Sequence, residues 1–435
     1  MYLSVMRNVE LYRLASMYLS VMRDVELYRH LIGLTSPWTV AHVELNLREQ
    51  RVDVFAEHSK SKNWPCAECA AACGLHDHEP ERTWRHLDSC QFRTYLHARI
   101  PRTRCPEHGV RQVQVPWAEP QARFTLLFER LAIDVLLETD ISGGARLLGL
   151  SWDEAQHIME RAVARGLLRR PHEAPRYMGV DEKAIAKGAV YATVVSDLER
   201  GHVIEVAEGR KKRSLVSALG SFTLMELAQV EAVAMDMWEP YAQVIKVVVQ
   251  GGADKIVFDR YHIMSHMNGA VDQVRRQENR SLRQEGDDRL VKTRYMWLYG
   301  EENLPTRYQV AFEALRDSTL KTARAWAIKE SLRQLWTCPN QKEGEAWWKR
   351  WYFWATHCQL EPVKKVAKML KSHLDNVLTY FVHPITNAVS EALNSTLQML
   401  KHRARGYRSF INFRTAVLFH CGGLNLYPIS SHPDP

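Results

Sequence analysis

The sequence predicts a multidomain α+β protein, because three kinds of pattern follow one another along its 435 residues. A cysteine-rich segment comes first and a run of helical periodicity follows it. Strand-like alternation then gives way to a long helical block that is rich in tryptophan. A chain of this length exceeds one compact domain, so we expect several.

The composition is that of an ordinary folded protein. Hydrophobic residues make up 46% of the chain and charged residues 25%, with 21 Gly and 17 Pro, which excludes a collagen-like or wholly disordered chain. No apolar run reaches about 18 residues, so we expect no transmembrane helix and no membrane partner. Arg7, Glu10 and Arg13 interrupt the N-terminal apolar residues, and no small-residue cleavage site follows. We therefore expect no secretory signal and a cytoplasmic protein.

The positive charge is modest in total but concentrated in two places. The net charge is +8, from 58 Lys and Arg against 50 Asp and Glu. Arginines are frequent from residue 82 to residue 111, and after Glu391 the sequence has one acidic residue, Asp434. Basic stretches far apart in sequence favour a long polyanion that is contacted by more than one domain.

The first 62 residues divide into two segments. Residues 1–29 contain a near-perfect duplication, MYLSVMRNVELYR at 1–13 and MYLSVMRDVELYR at 17–29. Stacked repeats need more copies than two, so we interpret it as a recent duplication or an upstream false start and assign it no function. In the segment 30–62, residues 39–56 alternate apolar and polar side chains around Arg48-Glu49-Gln50, which predicts a β-hairpin.

Five of the eight cysteines lie between residues 66 and 105. In a reducing compartment, clustered cysteines favour a metal site over disulfides. Two pairs of ligands are each separated by two residues, which lets a tight knuckle present both to one tetrahedral ion: Cys66 with Cys69, and Cys105 with His108. We expect a module at 63–115 that holds one structural Zn²⁺. Cys73 and Cys90 are competing ligands, and unpaired thiols beside a coincidental histidine are the alternative.

Residues 140–165, within a predicted domain at 116–172, have the pattern of a helix-turn-helix. Gly149 falls at the turn, and Ser151 would cap the second helix with Glu154 as its capping-box partner. The two helices would bury apolar side chains at helical spacing: Ala145, Leu147, Leu148 and Leu150 in the first, and Ala155, Ile158, Met159 and Ala162 in the second.

The second helix of such a motif enters a DNA major groove and contacts bases with its first residues. We therefore expect Ser151, Trp152 and Gln156 to face DNA. An ordinary αα-hairpin is the alternative, and the zinc module just upstream argues against it.

Three acidic residues stand where an unpaired carboxylate is costly. Asp181 and Asp236 each end an apolar strand-like run, and Glu391 lies in an amphipathic helical pattern. Two strand ends and a helix can converge on hard divalent cations, which prefer carboxylate oxygens. Two such ions about 4 Å apart can support phosphoryl transfer. A strand-end turn or a helix cap is the alternative for each acid taken singly.

The order of these parts resembles that of an insertion-sequence DDE transposase of the ISL3 family, and the resemblance covers nearly all of residues 30–428. Beside the zinc knuckles and the helix-turn-helix, it rests on six segments: GVDE at 179–182, YATVVSD at 191–197, EGR at 208–210, AMDMWEPY at 234–241, VFDRYHI at 257–263 and SEALNSTLQMLKHRARGYRSFINFR at 390–414. Two features depart from the family pattern. His108 occupies a position that is often Cys, and the duplicated N-terminus has no counterpart.

The resemblance implies an RNase H-like α/β core at 173–268 and 378–428, interrupted by an all-helical insertion at 269–377. It also implies binding to terminal inverted repeats, and strand cleavage and joining with two Mg²⁺ or Mn²⁺ ions held by Asp181, Asp236 and Glu391. In the implied sheet the strand of Asp181 lies beside that of Asp236, and the strand of Asp259 is one place further out. Asp259 and His262 resemble an Asp/Cys-x-x-His element of such transposases and would position the DNA strand or support the helix of Glu391 without binding the ions. A helix cap by Asp259 with a packed His262 is the alternative.

Two basic runs are expected to contact DNA phosphates, with a solvated face as the alternative. They are Arg210, Lys211, Lys212 and Arg213, and, near the C-terminus, Lys401, Arg403, Arg405 and Arg408. The tryptophans of the insertion are expected in its core, with one or two left to stack on an unpaired base.

Together these features predict a bacterial, nucleoid-associated DNA transposase. Its partners would be double-stranded DNA, both element ends and target, and a second copy of the chain in at least a dimer on DNA. A transposon-derived regulator that binds DNA without catalysis is one alternative, against which the three acids argue. An RNase H-like nuclease or resolvase is another, against which the zinc and helix-turn-helix modules argue.

Overall fold

The computed structural model describes residues 24–60, 63–186, 190–385, 388–407 and 409–429. Most of the duplicated segment, residues 1–23, and the predicted phosphate contact Arg408 lie outside the described residues. The chain forms two compact units, of which the first holds the described residues up to Arg169 and those from Asn425 onwards. The second spans Arg170–Leu424. No helix in these described ranges is long and apolar enough to cross a membrane.

The first unit opens with helix α1 (Asp24–Ile32) and eight strands. The strands are β1 (Trp38–Asn46), β2 (Arg51–His58), β3 (Asn63–Pro65), β4 (Ala72–His78), β5 (Arg82–Arg85), β6 (Arg93–Ala98), β7 (Pro101–Cys105) and β8 (Gly109–Gln112). They form two four-stranded sheets, with orders β1-β2-β6-β5 and β3-β4-β7-β8.

The hairpin predicted at 39–56 is confirmed as β1 and β2, and it does not stand alone. Strand β2 pairs in parallel with β6, so the hairpin shares a sheet with strands from the cysteine-rich segment. Beneath the sheet, the ring of Trp117 meets that of Trp38 at 4.7 Å and that of Trp84 at 5.5 Å, each edge-on. The hairpin and the cysteine-rich segment therefore share a core that also takes in Trp117, while Cys66, Cys73 and Cys105 form a separate buried cluster.

Three helices complete the first unit: α2 (Leu126–Glu138), α3 (Ile141–Leu148) and α4 (Trp152–Arg169). Gly149 ends α3 with φ of 66°, a left-handed conformation that glycine adopts without strain. The predicted capping box begins α4, since the Ser151 N–H donates to Glu154 Oε2 at 2.9 Å and the Glu154 N–H donates to Ser151 Oγ at 3.3 Å. The helix-turn-helix geometry is therefore confirmed.

The burial of these helices agrees with the prediction except at Leu147 and at Leu150, which follows α3 and is only half-buried. Ala155, Ile158, Met159 and Ala162 are all buried, as predicted. Leu147 is 69% exposed, so its predicted place in the core is wrong. Because α3 turns Ala145 and Leu148 inward, Leu147 is rotated about 100° away from Leu148 and faces outward.

The C-terminal residues belong to the first unit rather than to the core, where the sequence placed residues up to 428. The Tyr427 hydroxyl donates to Asp134 Oδ1 of α2 at 2.7 Å, and the carbonyl of Leu426 accepts from Arg165 of α4. These two hydrogen bonds hold Leu426 and Tyr427 against the helices of that unit.

The second unit contains a five-stranded sheet. Its strands and the helices between them are β9 (Tyr177–Ala186), β10 (Val190–Asp197), β11 (His202–Glu208), α5 (Lys212–Leu219), α6 (Leu224–Ala228), β12 (Ala232–Met235), α7 (Glu239–Val248), α8 (Gly252–Lys255) and β13 (Ile256–Phe258). The order is β11-β10-β9-β12-β13. Strand β10 is antiparallel to both β9 and β11, whereas β12 runs parallel to both β9 and β13.

The remaining helices of the second unit form the insertion and the return to the sheet. They are α9 (Arg260–Gln284), α10 (Arg294–Leu298), α11 (Thr306–Arg316), α12 (Lys321–Arg333), α13 (Gln341–His357), α14 (Glu361–Ser372), α15 (Leu374–Leu378), α16 (Ala388–Arg403) and α17 (Phe410–Cys421). The boundary expected at residue 268 falls inside α9, which runs unbroken from the sheet into the insertion.

The tryptophans of the insertion are mainly core residues, as predicted. Trp297, Trp326, Trp348 and Trp351 are buried, and Trp354 is 40% exposed. The Trp351 Nε1–H donates to the carbonyl of Ile328 at 2.9 Å, which satisfies the polar end of a ring that is otherwise packed among apolar side chains.

Candidate functional site

Three cysteines and a histidine come together beside the sheet of β3, β4, β7 and β8. The Sγ atoms of Cys69 and Cys105 are 3.7 Å apart. Nδ1 of His108 lies 3.5 Å from Sγ of Cys105 and 4.0 Å from Sγ of Cys66, and all four ligand atoms lie within 4.8 Å of one another. A tetrahedral Zn²⁺ with bonds of about 2.0–2.3 Å separates its ligands by about 3.5–3.8 Å, which is close to the three distances above.

The surroundings of this cluster favour the thiolate form and define its members. Hydrogen bonds with His108 lower the pKa of the Cys105 thiol to about 6, which favours the form that binds zinc. Cys73 is buried against Cys66 and Cys105 but lies outside the four-ligand group, and burial raises its pKa. Cys90 is exposed.

Acidic residues meet at one edge of the five-stranded sheet. Met235 of β12 is opposite Val180 of β9 and also opposite Phe258 of β13. Val180, Met235 and Phe258 are each followed along the chain by an aspartate. Asp181, Asp236 and Asp259 therefore occupy corresponding positions on three adjacent strands. Asp181 is not the end of its strand, because β9 continues to Ala186.

His262, in the first turn of α9, joins two of these aspartates. Its Nδ1 lies 2.8 Å from Asp259 Oδ2 and also contacts Asp236 Oδ1. Burial alone would lower the pKa of His262, but the hydrogen bonds to Asp236 and Asp259 raise it to about 10. Burial raises the pKa of Asp236, and the charges of Asp181 and Asp259 act in the same direction. These groups therefore form one electrostatically coupled cluster.

Asp259 also begins α9, because its Oδ1 accepts from the Tyr261 N–H at 3.1 Å. The carboxylate of Asp259 therefore both caps α9 and contacts His262. Asp236, Asp259 and His262 place three ligand atoms within 4.8 Å of one another, so they could hold a cation by themselves. Asp236 is the member of this group that also faces the strand of Asp181.

Helix α16, which carries Glu391, contacts the central strand directly. The Asn394 Nδ2–H donates to Asp181 Oδ2 at 2.6 Å, and Lys183 Nζ lies 3.5 Å from the same oxygen. Further along α16, Lys401 Nζ donates to the carbonyl of Ala184 at 2.9 Å. Glu391 lies one helical turn before Asn394 and is exposed. In the described part of the chain its carboxylate takes part in no ion pair.

Sequence reasoning missed Asn394, Lys183 and Trp238. Asn394 is three residues after Glu391 in a predicted helix, and Lys183 is two residues after Asp181 in a predicted strand, so spacing alone could have indicated both. Trp238 is 41% exposed, its backbone N–H donates to the carbonyl of Asp236 at 2.7 Å, and its indole N–H donates to the carbonyl of Arg210 at 3.4 Å. An exposed indole so close to an acidic cluster is a further candidate contact for a ligand.

Of the three helix-turn-helix residues expected to face DNA, two are exposed and one is buried. Ser151 and Trp152 are exposed, as a contact requires. Gln156 is only 6% exposed, and its amide donates to Glu160 Oε1 at 2.9 Å, so the expectation that it reads a base needs correction. Gln156 follows Ala155 on the inward face of α4, whereas His157 is exposed on the outward face.

The two basic runs lie at the surface. Lys211, Lys212 and Arg213 are exposed at the start of α5, and Arg210 lies 4.1 Å above the ring of Tyr191. Arg403 is exposed at the end of α16, and Arg405 is exposed two residues beyond that helix. With the partly buried Lys401, both runs therefore present positive charge at the surface.

Comparison with protein families identifies three segments of the chain. A family model described as the transposase of the ISL3 group matches residues 178–417. A zinc-finger model of the transposases IS204, IS1001, IS1096 and IS1165 matches residues 62–108. A model of the helix-turn-helix domain of the ISL3 transposase family matches residues 113–163.

Curated relatives are similar over most of the chain. The transposase for insertion sequence element IS1001 of Bordetella parapertussis is 25% identical over 362 residues, which cover 81% of this chain and 88% of the relative. The transposase for insertion sequence element IS1557 of Mycobacterium tuberculosis, strain H37Rv, is 26% identical over 373 residues, which cover 79% of this chain and 82% of the relative.

Proposed function

Because the chain belongs to the ISL3 family of transposases, we propose that it binds the terminal inverted repeats of its insertion sequence and there cuts and joins DNA strands in a divalent-metal reaction. Asp181, Asp236 and Glu391 are the proposed metal ligands. Asp259 and His262 hold Asp236 in place. The partner is double-stranded DNA, bound by at least two copies of the chain when two element ends are held together.

The position of Asp181 and Asp236 carries this proposal. Neighbouring strands of a sheet are about 4.8 Å apart, so one cation can bridge two carboxylates at matched positions of β9 and β12. Asp259 is on the strand beyond β12, about 10 Å from β9, where the same cation hardly reaches it. Asn394 links α16 to Asp181, and this supports Glu391 as the third ligand.

Carboxylate oxygens are the donors that Mg²⁺ and Mn²⁺ prefer, and this edge of the sheet concentrates them. Two such ions held there would activate a water or a 3′-OH and stabilise the leaving oxygen. Within the chain, Lys183 and Asn394 orient Asp181, and His262 orients Asp236. Lys211, Lys212, Arg213, Arg403 and Arg405 are proposed to contact phosphates of the bound DNA.

The cluster of Cys66, Cys69, Cys105 and His108 is proposed to bind one structural Zn²⁺, because four protein ligands leave no open position for a substrate. End recognition is proposed for the exposed face of α4, with Trp152 and His157 replacing Gln156 among the residues that reach DNA. Binding and chemistry then lie in different units of the chain.

The test is a strand-cleavage assay on duplex DNA that carries an end of the insertion sequence. We expect Mg²⁺-dependent nicking at the end of the repeat by the wild-type chain and none by Asp181→Asn, with equal binding of both to the DNA. Binding without cleavage by the wild type would favour the regulator. Equal cleavage of DNA with and without the terminal repeat would favour the nuclease.

A further inference from the structure

We propose that the exposed lysine face of α14 is a second DNA-binding surface, which contacts the phosphates of duplex DNA outside the sequence read by the helix-turn-helix. The lysine face is defined as Lys364, Lys365, Lys368 and Lys371. The proposal rests on the proposed function only for the identity of the bound duplex as transposon or target DNA.

The sequence of α14 separates a buried stripe from the lysine face. Val363, Ala367 and Leu370 are buried and face the helical core. At 100° per residue the four lysines all fall within an arc of about 120° on the opposite side of the helix. Lys365, Lys368 and Lys371 are exposed, and Lys364 is half-buried.

This face keeps most of its positive charge. The single acidic residue of α14 is Glu361, whose carboxylate pairs with Lys364 Nζ at 2.9 Å. Lys371 Nζ lies 5.0 Å from the ring centroid of Tyr352 on α13, an attraction that leaves its charge unchanged. Lys365 and Lys368 take part in none of the ion pairs of the described residues. At least three charges are therefore available to an anion.

The lysine face leads towards the catalytic edge of the sheet. His373, just beyond α14, packs its ring edge-on against Phe258, with centroids 5.3 Å apart. Phe258 is the last residue of β13 and directly precedes Asp259. Further on, the Asn376 side chain donates to the carbonyl of Ala253 in α8 at 2.7 Å and to that of Ile256, the first residue of β13, at 3.3 Å. The C-terminal end of α14 is thus the end nearer the aspartates.

The spacing suits a DNA backbone. Positions 364 to 371 of a helix span about 10 Å, at 1.5 Å per residue. Phosphates follow one another along each strand at about 3.4 Å of helix axis, so the lysine face can meet about three of them. DNA whose strand enters the catalytic edge would continue along this helix without any base-specific contact.

The test compares the salt dependence of binding for matched variants. Each phosphate contact adds about 0.9 to the slope of log K against log salt. The double variant Lys365→Gln with Lys368→Gln should therefore lower the slope by about 1.8, and Arg at both positions should restore it. The charge-matched control is Lys246→Gln with Lys321→Gln, two exposed lysines on α7 and α12. It should keep the wild-type slope.

The probe is random-sequence duplex DNA, alongside a duplex of equal length that carries an element end. An unchanged slope for the α14 variant, or an equal loss in the control, would overturn the proposal. Unchanged DNA binding with altered sedimentation would assign the face to protein contact and overturn it too. A reduced slope on both probes, with no cleavage by the wild type, would refute the proposed function and leave this inference standing.

Discussion

The side-chain amide of Asn394 donates to Asp181 Oδ2 at 2.6 Å, and this hydrogen bond ties the helix of Glu391 to the central strand of the sheet. The two residues are more than 200 positions apart, with the whole helical insertion between them. Asn394 thus links the two parts of the chain that supply the proposed metal ligands.

Replacing Asn394 with Ala should reduce cleavage and leave DNA binding unchanged. A hydrogen bond to a charged group contributes about 1.5–3 kcal/mol, so its loss should slow cleavage roughly tenfold or more. Strand cleavage at saturating DNA measures the effect. Gln398→Ala, an exposed position one turn further along α16, is the control and should cleave normally. Equal activity of the two variants would contradict a positioning role for Asn394.

Gly179→Ala should destabilise the second unit and impair cleavage. A Cβ at Gly179 would lie 2.5 Å from Ser196 Oγ and 2.9 Å from Ser390 Oγ, so β10 or α16 has to shift. Such overpacking costs about 1–3 kcal/mol. Denaturant unfolding measures it, with Gly269→Ala as control, since nothing lies within 4 Å of a Cβ there. If Gly179→Ala were as stable as wild type, β10 or α16 would accommodate the added Cβ without cost, and the prediction would be wrong.

Substitution of Asp236 should reduce DNA cleavage more than substitution of Asp259. Asp236→Asn should abolish Mg²⁺-dependent cleavage, because it removes a proposed metal ligand. Asp259→Asn should keep measurable activity, because Asn can still cap α9 and His262 can still contact Asp236. The reverse ranking in the same cleavage assay would move the metal site to the group formed by Asp259 and His262.

Loss of zinc should unfold the first unit locally. Cys66→Ser removes one of four ligands, and since the binding energy of a structural zinc is folding energy, the variant should weaken DNA binding. The second unit should keep its fold, measured by its own unfolding transition. Cys90→Ser, at an exposed cysteine outside the cluster, is the control. Elemental analysis of the wild type should find about one zinc per chain, and its absence would refute the site.

Substitutions on the outward face of α4 should separate recognition from chemistry. Trp152→Ala and His157→Ala should lower affinity for the terminal repeat relative to random DNA, because each correctly read base pair contributes about 1–3 kcal/mol to specific binding. Asp181→Asn should bind the repeat as well as wild type. Gel-shift competition measures both. Wild-type specificity in the two α4 variants would place end recognition elsewhere.

The local spacing of residues was sufficient to predict several parts of this protein. The pairs Cys66 with Cys69 and Cys105 with His108 form knuckles because two intervening residues let both ligands face one point. The cap of α4 at Ser151 and the turn at Gly149 follow from the residues that occupy them. The apolar runs that end at Met235 and Phe258 could also be predicted as strands, because strands buried on both faces consist of continuous apolar residues.

Other features depended on how the elements pack together. The bridge of His262 between Asp236 and Asp259, the bond of Asn394 to Asp181 and the burial of Gln156 could not be predicted from the sequence by itself. Periodicity determines which residues share a face of one element, but not which face meets a distant strand or helix. That choice is made by long-range packing, and it decided which charged groups of this chain became neighbours.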